Sequence, residues 1–142
     1  MNSIYLLDTN ILSEPLKKTP DKTILEFLER NETTIATCSI VIHELFYGME
    51  VLEEGRKKKI INKHIHSILE TLPIFEYSTT ASLWHAKQRA RLTTLGKTPS
   101  FVDGQIASIA HTQNLKLVTK NYGDFKPFKI EVPRFLISLL LD

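Results

Sequence analysis

The sequence predicts an α/β domain with a central, mainly parallel sheet flanked by helices. Short, wholly apolar runs such as Ile4-Tyr5-Leu6-Leu7 have the continuous hydrophobicity of strands buried on both faces. These runs are separated by stretches of helical periodicity, the pattern of βαβ crossovers. The 142 residues suffice for one sizeable core and are too few for two, so residues 1–142 are expected to form one domain.

Residues 3–7 read as the first strand. Thr9-Asn10 opens a short helix over residues 9–17. Thr19-Pro20-Asp21 starts the next, with Pro in the first turn and Ile24, Leu25 and Leu28 on one face. Residues 33–38, rich in Thr and Ile, read as the second strand. Ser39 is expected to cap a helix to about Leu52, striped by Val41, Leu45, Met49 and Leu52. Gly55 punctuates, and a further helix carries Ile61, Ile65, Ile68, Leu69 and Leu72 on a stripe. Pro73 to Tyr77 reads as a short strand. Ser78-Thr79-Thr80 starts a helix ending near Gly96, and Pro99-Ser100 another running to about Asn114. Leu117-Val118-Thr119 is a strand, Asn121 begins a turn, and Phe128 to Val132 reads as a last strand. Pro133 then precedes an apolar tail, Phe135 to Leu141.

Composition narrows the function classes. No apolar stretch reaches the ~18 residues of a membrane span, and no charged-then-apolar leader opens the chain. Cys38 is the one cysteine, so no internal disulfide can form. A reducing cytoplasm is expected, with Cys38 as core filler in an apolar run. The formal charge is +2, from 18 basic and 16 acidic residues.

Four acids stand in awkward company. Asp8 closes the first buried strand, and Asp124 lies just past the strand at 117–119. Ligands bind at such carboxyl ends in open α/β sheets. On a helix, Asp103 shares its face with Ile106, Ala107 and Ala110, near the end where the dipole tolerates negative charge. Glu44 shares a face with Ile40, Val41, Tyr47, Gly48 and Val51. Gly48 there weakens the helix by roughly 1 kcal/mol relative to Ala, which points to close packing or to room beside a neighbour. Taken singly, Asp8 could cap a helix, Asp124 sit in a turn, Glu44 face solvent and Asp103 be an ordinary first-turn acid. Taken together, four converging carboxylates would repel one another unless a cation lay between them. Hard oxygen donors select Mg²⁺ or Mn²⁺, and no Cys/His cluster has zinc spacing. Neutralising these four would leave 18 basic against 12 acidic residues, a balance compatible with a phosphate-bearing substrate.

Other charged and aromatic groups are less specific. Lys87, Arg89, Arg91 and Lys97 flank the Asp103 segment and are candidate RNA contacts or a solvated helix face. Arg56-Lys57-Lys58-Lys59 occupies a helix start, an unfavourable end for positive charge. Trp84 and Tyr47 could stack on bases or pack in a core or interface. His43, His64, His66, His85 and His111 are scattered and read as surface or packing residues, which disfavours a two-histidine ribonuclease.

Four segments in order resemble the PIN-domain ribonucleases, and among them the VapC-like toxins of toxin–antitoxin pairs. They are Leu6-Leu-Asp8-Thr-Asn-Ile-Leu-Ser13, Ser39-Ile-Val-Ile-His-Glu44-Leu-Phe-Tyr-Gly48, Asp103-Gly-Gln-Ile-Ala107 and Thr119-Lys-Asn121-Tyr-Gly-Asp124-Phe125. The resemblance implies a PIN-like three-layer sandwich and a Mg²⁺- or Mn²⁺-dependent endoribonuclease acting on RNA, often transfer RNA. It implies Asp8, Glu44 and Asp103 as metal ligands, with Asp124 as the fourth acid of the catalytic set. Thr9, Asn10, Thr119 and Asn121 would orient carboxylates or water. It also implies a homodimer, and a small VapB-like antitoxin whose tail covers the groove. Lys120 departs from the family, standing where Arg is common. A metal-activated water would attack phosphorus in line and leave a 5′-phosphate and a 3′-hydroxyl. Two other readings are a PIN nuclease of RNA processing and a non-catalytic protein-binding module. A phosphatase with Asp8 as covalent nucleophile is disfavoured, because that class needs a second Asp where Asn10 stands.

Overall fold

A computed structural model describes residues 2–133. Four short parallel strands lie in the order β3-β2-β1-β4: β1 (Tyr5–Leu7), β2 (Ile35–Cys38), β3 (Ile74–Phe75) and β4 (Lys116–Val118). The sheet is thus parallel throughout these residues. β1 is central, pairing Leu6 with Ala36 of β2 on one side and with Leu117 of β4 on the other. Leu6, Leu7, Ala36, Cys38 and Leu117 are fully buried, as continuous apolar runs require. The hydroxyl of buried Thr37 donates to the Leu7 carbonyl at 2.9 Å, so β2 buries no unpaired oxygen there.

Helices fill the connections: α1 (Thr9–Leu12), a 3₁₀ turn at Glu14–Leu16, α2 (Lys22–Arg30), α3 (Ser39–Glu50), α4 (Arg56–Thr71), α5 (Thr79–Thr94), α6 (Phe101–Thr112) and α7 (Tyr122–Phe125). α5 and α6 pair most extensively, and α3 packs on α4, on β2 and on α6. Ser78 caps α5 by accepting the Ala81 amide, and Ser100 caps α6 by accepting that of Asp103. No helix among the described residues is long and apolar enough to cross a membrane.

Several local expectations need correction. The helix expected over residues 9–17 breaks after Leu12, because Pro15 has no N–H to continue the ladder. The chain tightens instead into the 3₁₀ turn, which carries Glu14 inward. The helix start expected at Thr19-Pro20-Asp21 is there, but Asp21 is the cap of α2, accepting from the Thr23 and Ile24 amides, so Pro20 precedes the helix and does not stand in its first turn. Cys38 is the N-cap of α3 and offers no side-chain bond, while Ser39 is already helical. Phe128 to Val132 forms no strand; one backbone bond, Leu117 N–H to the Glu131 carbonyl, joins it to β4. Of the two readings of Gly48, close packing fails and room remains: it is exposed, with open space where a Cβ would stand. The apolar tail from Phe135 to Leu141 lies outside the described residues.

Cys38 behaves as read: it is fully buried, and burial drives its thiol up to about 11. Among the histidines, His64 bonds the Leu12 carbonyl at the end of α1, and His85 is buried between α5 and α6.

Candidate active site

Parallel strands end together, so the residues that follow them meet at one edge. Asp8 follows β1, Thr119 follows β4, and α3 follows β2 at once. The Asp8 amide donates to the Val118 carbonyl at 3.0 Å, which fixes the acid at the carboxyl end of the two strands. Its carboxylate accepts two bonds of 2.8 Å, one from the Thr9 amide and one from the Thr119 hydroxyl. Asp8 therefore does cap α1. The cap and a site role do not compete, because the cap uses only part of the carboxylate's accepting capacity.

Asp8, Glu44 and Asp103 line one open cavity of about 540 Å³, with Thr9, Asn10, Ser13, Lys17, Ser100, Val102 and Asn121. Asp124, exposed on α7, lines a neighbouring cavity of about 500 Å³ with Lys97, Gly123 and Pro127. Ser100 and Asp103 belong to both, so the two form one groove across the strand ends. A further cavity of about 670 Å³, lined by Ser3, His111 and Lys129 among others, contains none of the four acids.

Electrostatics mark the groove as a concentration of negative charge. Burial raises the Asp8 carboxyl, its two hydrogen bonds lower it, and the charge of Asp124 raises it again, with a net upward shift. Glu44 is also raised, first by burial and then by Asp8. The Thr9 hydroxyl opposes that shift without reaching hydrogen-bond geometry to any partner. Asp103 is pushed up to about 6 by burial and by the charges of Asp124, Asp8 and Glu44. Thr9 Oγ1 and Asn10 Oδ1 are buried oxygens without a hydrogen-bond partner, and both residues line the cavity. Mutually repelling carboxylates beside unpaired oxygens are a donor set suited to a hard divalent cation. Among the described residues, no three acids, histidines or cysteines stand close enough together to enclose such an ion as they are.

The predicted cations separate into three kinds. Lys97 lines the groove beside Asp103 and Asp124. Arg91 bonds Gln88 and the Pro127 carbonyl, and Arg89 lies 5.3 Å over the Phe101 ring, so both have structural partners. Lys87 is exposed on α5 and lines neither cavity. In the Arg56–Lys59 run, Lys58 pairs with Glu54 at 2.8 Å. Trp84 stacks on His111 with centroids 4.2 Å apart, whereas Tyr47 is 63% exposed. Sequence reasoning missed Lys17, Ser100 and Glu14. Glu14 lies between Leu12 and Leu16, with Ser13 and Pro15 as its direct neighbours. The assumed helix over 9–17 disguised it as an ordinary helical glutamate.

The PIN domain family matches residues 5–128. Ribonuclease VapC2 of Rickettsia felis is 36% identical over 125 residues, covering 87% of this chain and 90% of that protein. The tRNA(fMet)-specific endonuclease VapC of Shigella flexneri is 25% identical over 122 residues, covering 86% and 89%. Among solved structures, VapBC2 from Rickettsia felis bound to a DNA fragment from their promoter matches with a TM-score of 0.77 and 31% identity, covering 91% and 96%.

Proposed function

This chain belongs to the PIN-domain family as a VapC-like nuclease, and from that premise we propose that it is a divalent-cation-dependent endoribonuclease toxin. The observation that carries this reading is the groove in which Asp8, Glu44 and Asp103 share one cavity and Asp124 borders it. Asp8, Glu44 and Asp103 would hold Mg²⁺ or Mn²⁺, with Asp124 adding charge from the rim. When bound, the cation supplies water activation and neutralises charge on the phosphate. Thr119 and the Thr9 amide hold the Asp8 carboxylate in one orientation before any substrate arrives. Thr9, Asn10 and Asn121 line the same cavity, within which they would orient carboxylates and water. Water attacking phosphorus in line would form the new P–O bond as the bond to the 3′ oxygen breaks, and that oxygen takes up a proton, leaving a 5′-phosphate and a 3′-hydroxyl.

Transfer RNA is the target class, as the name of the Shigella flexneri relative supports. The partner is a VapB-like antitoxin whose tail covers the groove, a reading supported by the VapBC2 assembly. The chain acts as a homodimer, and exposed apolar side chains on its helices, such as Leu83 of α5 and Phe101 of α6, are consistent with a contact between copies. The test is to incubate purified protein with transfer RNA, with Mg²⁺ or Mn²⁺ and with chelator, and to map the ends. Metal-dependent cuts bearing 5′-phosphates support the reading. A folded protein that cleaves nothing with either metal and shows no metal binding by calorimetry sinks it.

Lys97 lines the groove beside Asp103 and Asp124, and Lys17 lines it beside Asp8 with its amine also 3.0 Å from Glu14 Oε2, so each stands where a flanking phosphate would pass. Lys17→Ala and Lys97→Ala should each weaken binding of single-stranded RNA severalfold, whatever its sequence. Each should also reduce the slope of log affinity against log salt by about 0.7, as loss of one phosphate contact requires. Fluorescence anisotropy over a potassium chloride series measures this, and an unchanged slope removes that lysine from the interface.

A further inference from the structure

The least solvent-exposed carboxylate in the described part of the chain lies outside the acid quartet. Glu14 is 2% exposed, against 6% for Asp8. Its Oε2 accepts from Lys120 Nζ at 2.5 Å and meets Lys17 Nζ at 3.0 Å, while its Oε1 accepts from the Asp21 amide at 2.9 Å. The 3₁₀ turn, the start of α2 and the segment after β4 are thereby drawn onto one carboxylate.

Lys120 is placed between two residues of the groove. Thr119, on one side, donates its hydroxyl to Asp8 Oδ2 at 2.8 Å. Asn121, on the other, lines the acid cavity, and its amide donates to the same Thr119 hydroxyl at 3.0 Å. The connection from β4 to α7 is only these three residues long, so anchoring the middle one fixes both neighbours. A buried ion pair is a poor device for stability alone, since apolar residues of similar volume usually do as well or better. What a charged pair adds is a defined geometry.

We propose that Glu14 is a positioning residue for the acid site, holding Lys120 so that the Thr119 hydroxyl stays bonded to Asp8 and Asn121 stays on the cavity wall. The proposal rests on the reading of Asp8 as part of a nuclease site. It assigns Glu14 no contact with substrate or metal.

Three variants separate positioning from plain stability: Glu14→Gln, Lys120→Met and the double variant. Each single change breaks the charged Glu14–Lys120 contact, leaving Lys120 without its carboxylate in one case and Glu14 with only Lys17 and the Asp21 amide in the other, and lowers the melting temperature. The double variant removes both charges and recovers most of that loss. Turnover on RNA falls about tenfold in all three, the double included, because none retains the anchor. KM moves less than about threefold, since Lys17 keeps its charge beside the cavity. Amide hydrogen exchange gives a readout independent of cleavage. The Asn121 amide exchanges about tenfold faster in Glu14→Gln and in the double variant, while the Asp8 amide, bonded into the sheet, is unchanged. Turnover that recovers with the melting temperature in the double variant overturns the proposal, and so does an Asn121 amide that exchanges at the wild-type rate. Wild-type protein that cleaves no RNA overturns the nuclease reading instead, and the Asn121 amide then decides alone whether Glu14 holds the loop.

Discussion

Asp103→Asn is expected to lower turnover on RNA on the order of 10³-fold and at the same time to raise the melting temperature of the metal-free protein. The two effects share one cause. Asp103 is half-buried among like charges, with no hydrogen bond to its carboxylate among those described, only the capping bond of its amide to Ser100. Its pKa of about 6 against 3.8 means that folding disfavours the ionised form. Partial solvent screening reduces the gain from the neutral amide to about 1 kcal/mol, or ~3 °C in melting temperature. The amide is uncharged and a far weaker donor to a hard cation, so a site that gains stability loses its chemistry.

The pH dependence follows from the same shift. A group whose folded-state pKa is raised contributes its stability below its unfolded value, and loses it as pH rises through the folded one. For Asp103 that window runs from 3.8 to about 6, and Asp8 and Glu44 shift in the same direction. Chelated wild-type protein should therefore melt higher at pH 5 than at pH 7.5, and Asp103→Asn should flatten part of the difference. Glu14 acts oppositely. Burial would raise it, but Lys120, the Asp21 amide and Lys17 outweigh burial and hold it at about 2. Its contribution is present above 4.5 and is lost only as pH falls towards 2. Melting curves at several pH values with and without Mn²⁺ read both windows. A variant that loses turnover and melting temperature together would show Asp103 to be a structural residue.

What could be read from the chain, and what could not, divides along physical lines. Apolar runs ending in or followed by an acid locate strand ends, and parallel strands bring their ends together, so Asp8 and Asp124 could be assigned to the carboxyl edge without coordinates, while Glu44 was readable only as an acid on a helix face. Asp103 was readable only in company: it shares the buried stripe of Ile106, Ala107 and Ala110, but alone it could equally be a first-turn acid, and it was the three other acids that gave it a reason. Glu14 was not, because its burial depends on a helix that breaks at Pro15 and on Lys120, 106 residues away. The separation of Lys97 from Arg89 and Arg91 was also invisible. All sit in one basic segment, and only tertiary contacts with Phe101 and Pro127 decide which of them remain available to solvent and substrate. The edge strand expected at 128–132 failed because strand propensity does not report whether a partner extends far enough to complete a ladder.

Gly104→Ala is expected to destabilise the fold by about 2 kcal/mol and to lower the melting temperature by ~7 °C. On an isolated helix the change would be favourable by about 1 kcal/mol. Here α6 meets α5 with the His85 ring lying against Gly104. A Cβ at 104 would stand 2.6 Å from His85 Cδ2 and 3.0 Å from Cε1, and closer still to Nε2. The ring cannot swing aside cheaply. It is 2% exposed, its Nδ1 shares a 2.8 Å hydrogen bond with the Tyr77 hydroxyl, and Phe101 closes its other side with centroids 4.8 Å apart. Moving it would break the Tyr77 bond and disturb the first turn of α6, where Asp103 sits beside Gly104. Overpacking of this kind costs ~1–3 kcal/mol, and the lost hydrogen bond about 1 kcal/mol more, which together exceed the helical gain. Burial keeps His85 uncharged, as does the nearby Arg89, so the ring offers no ionic contact to offset the strain. Because the clash is with one ring, His85→Ser in the Gly104→Ala background should recover part of the lost stability. Thermal melts of the single and double variants measure the coupling. A Gly104→Ala protein melting within ~2 °C of wild type would show that α5 and α6 can separate without cost, and that the Asp103 segment is held by something other than this contact.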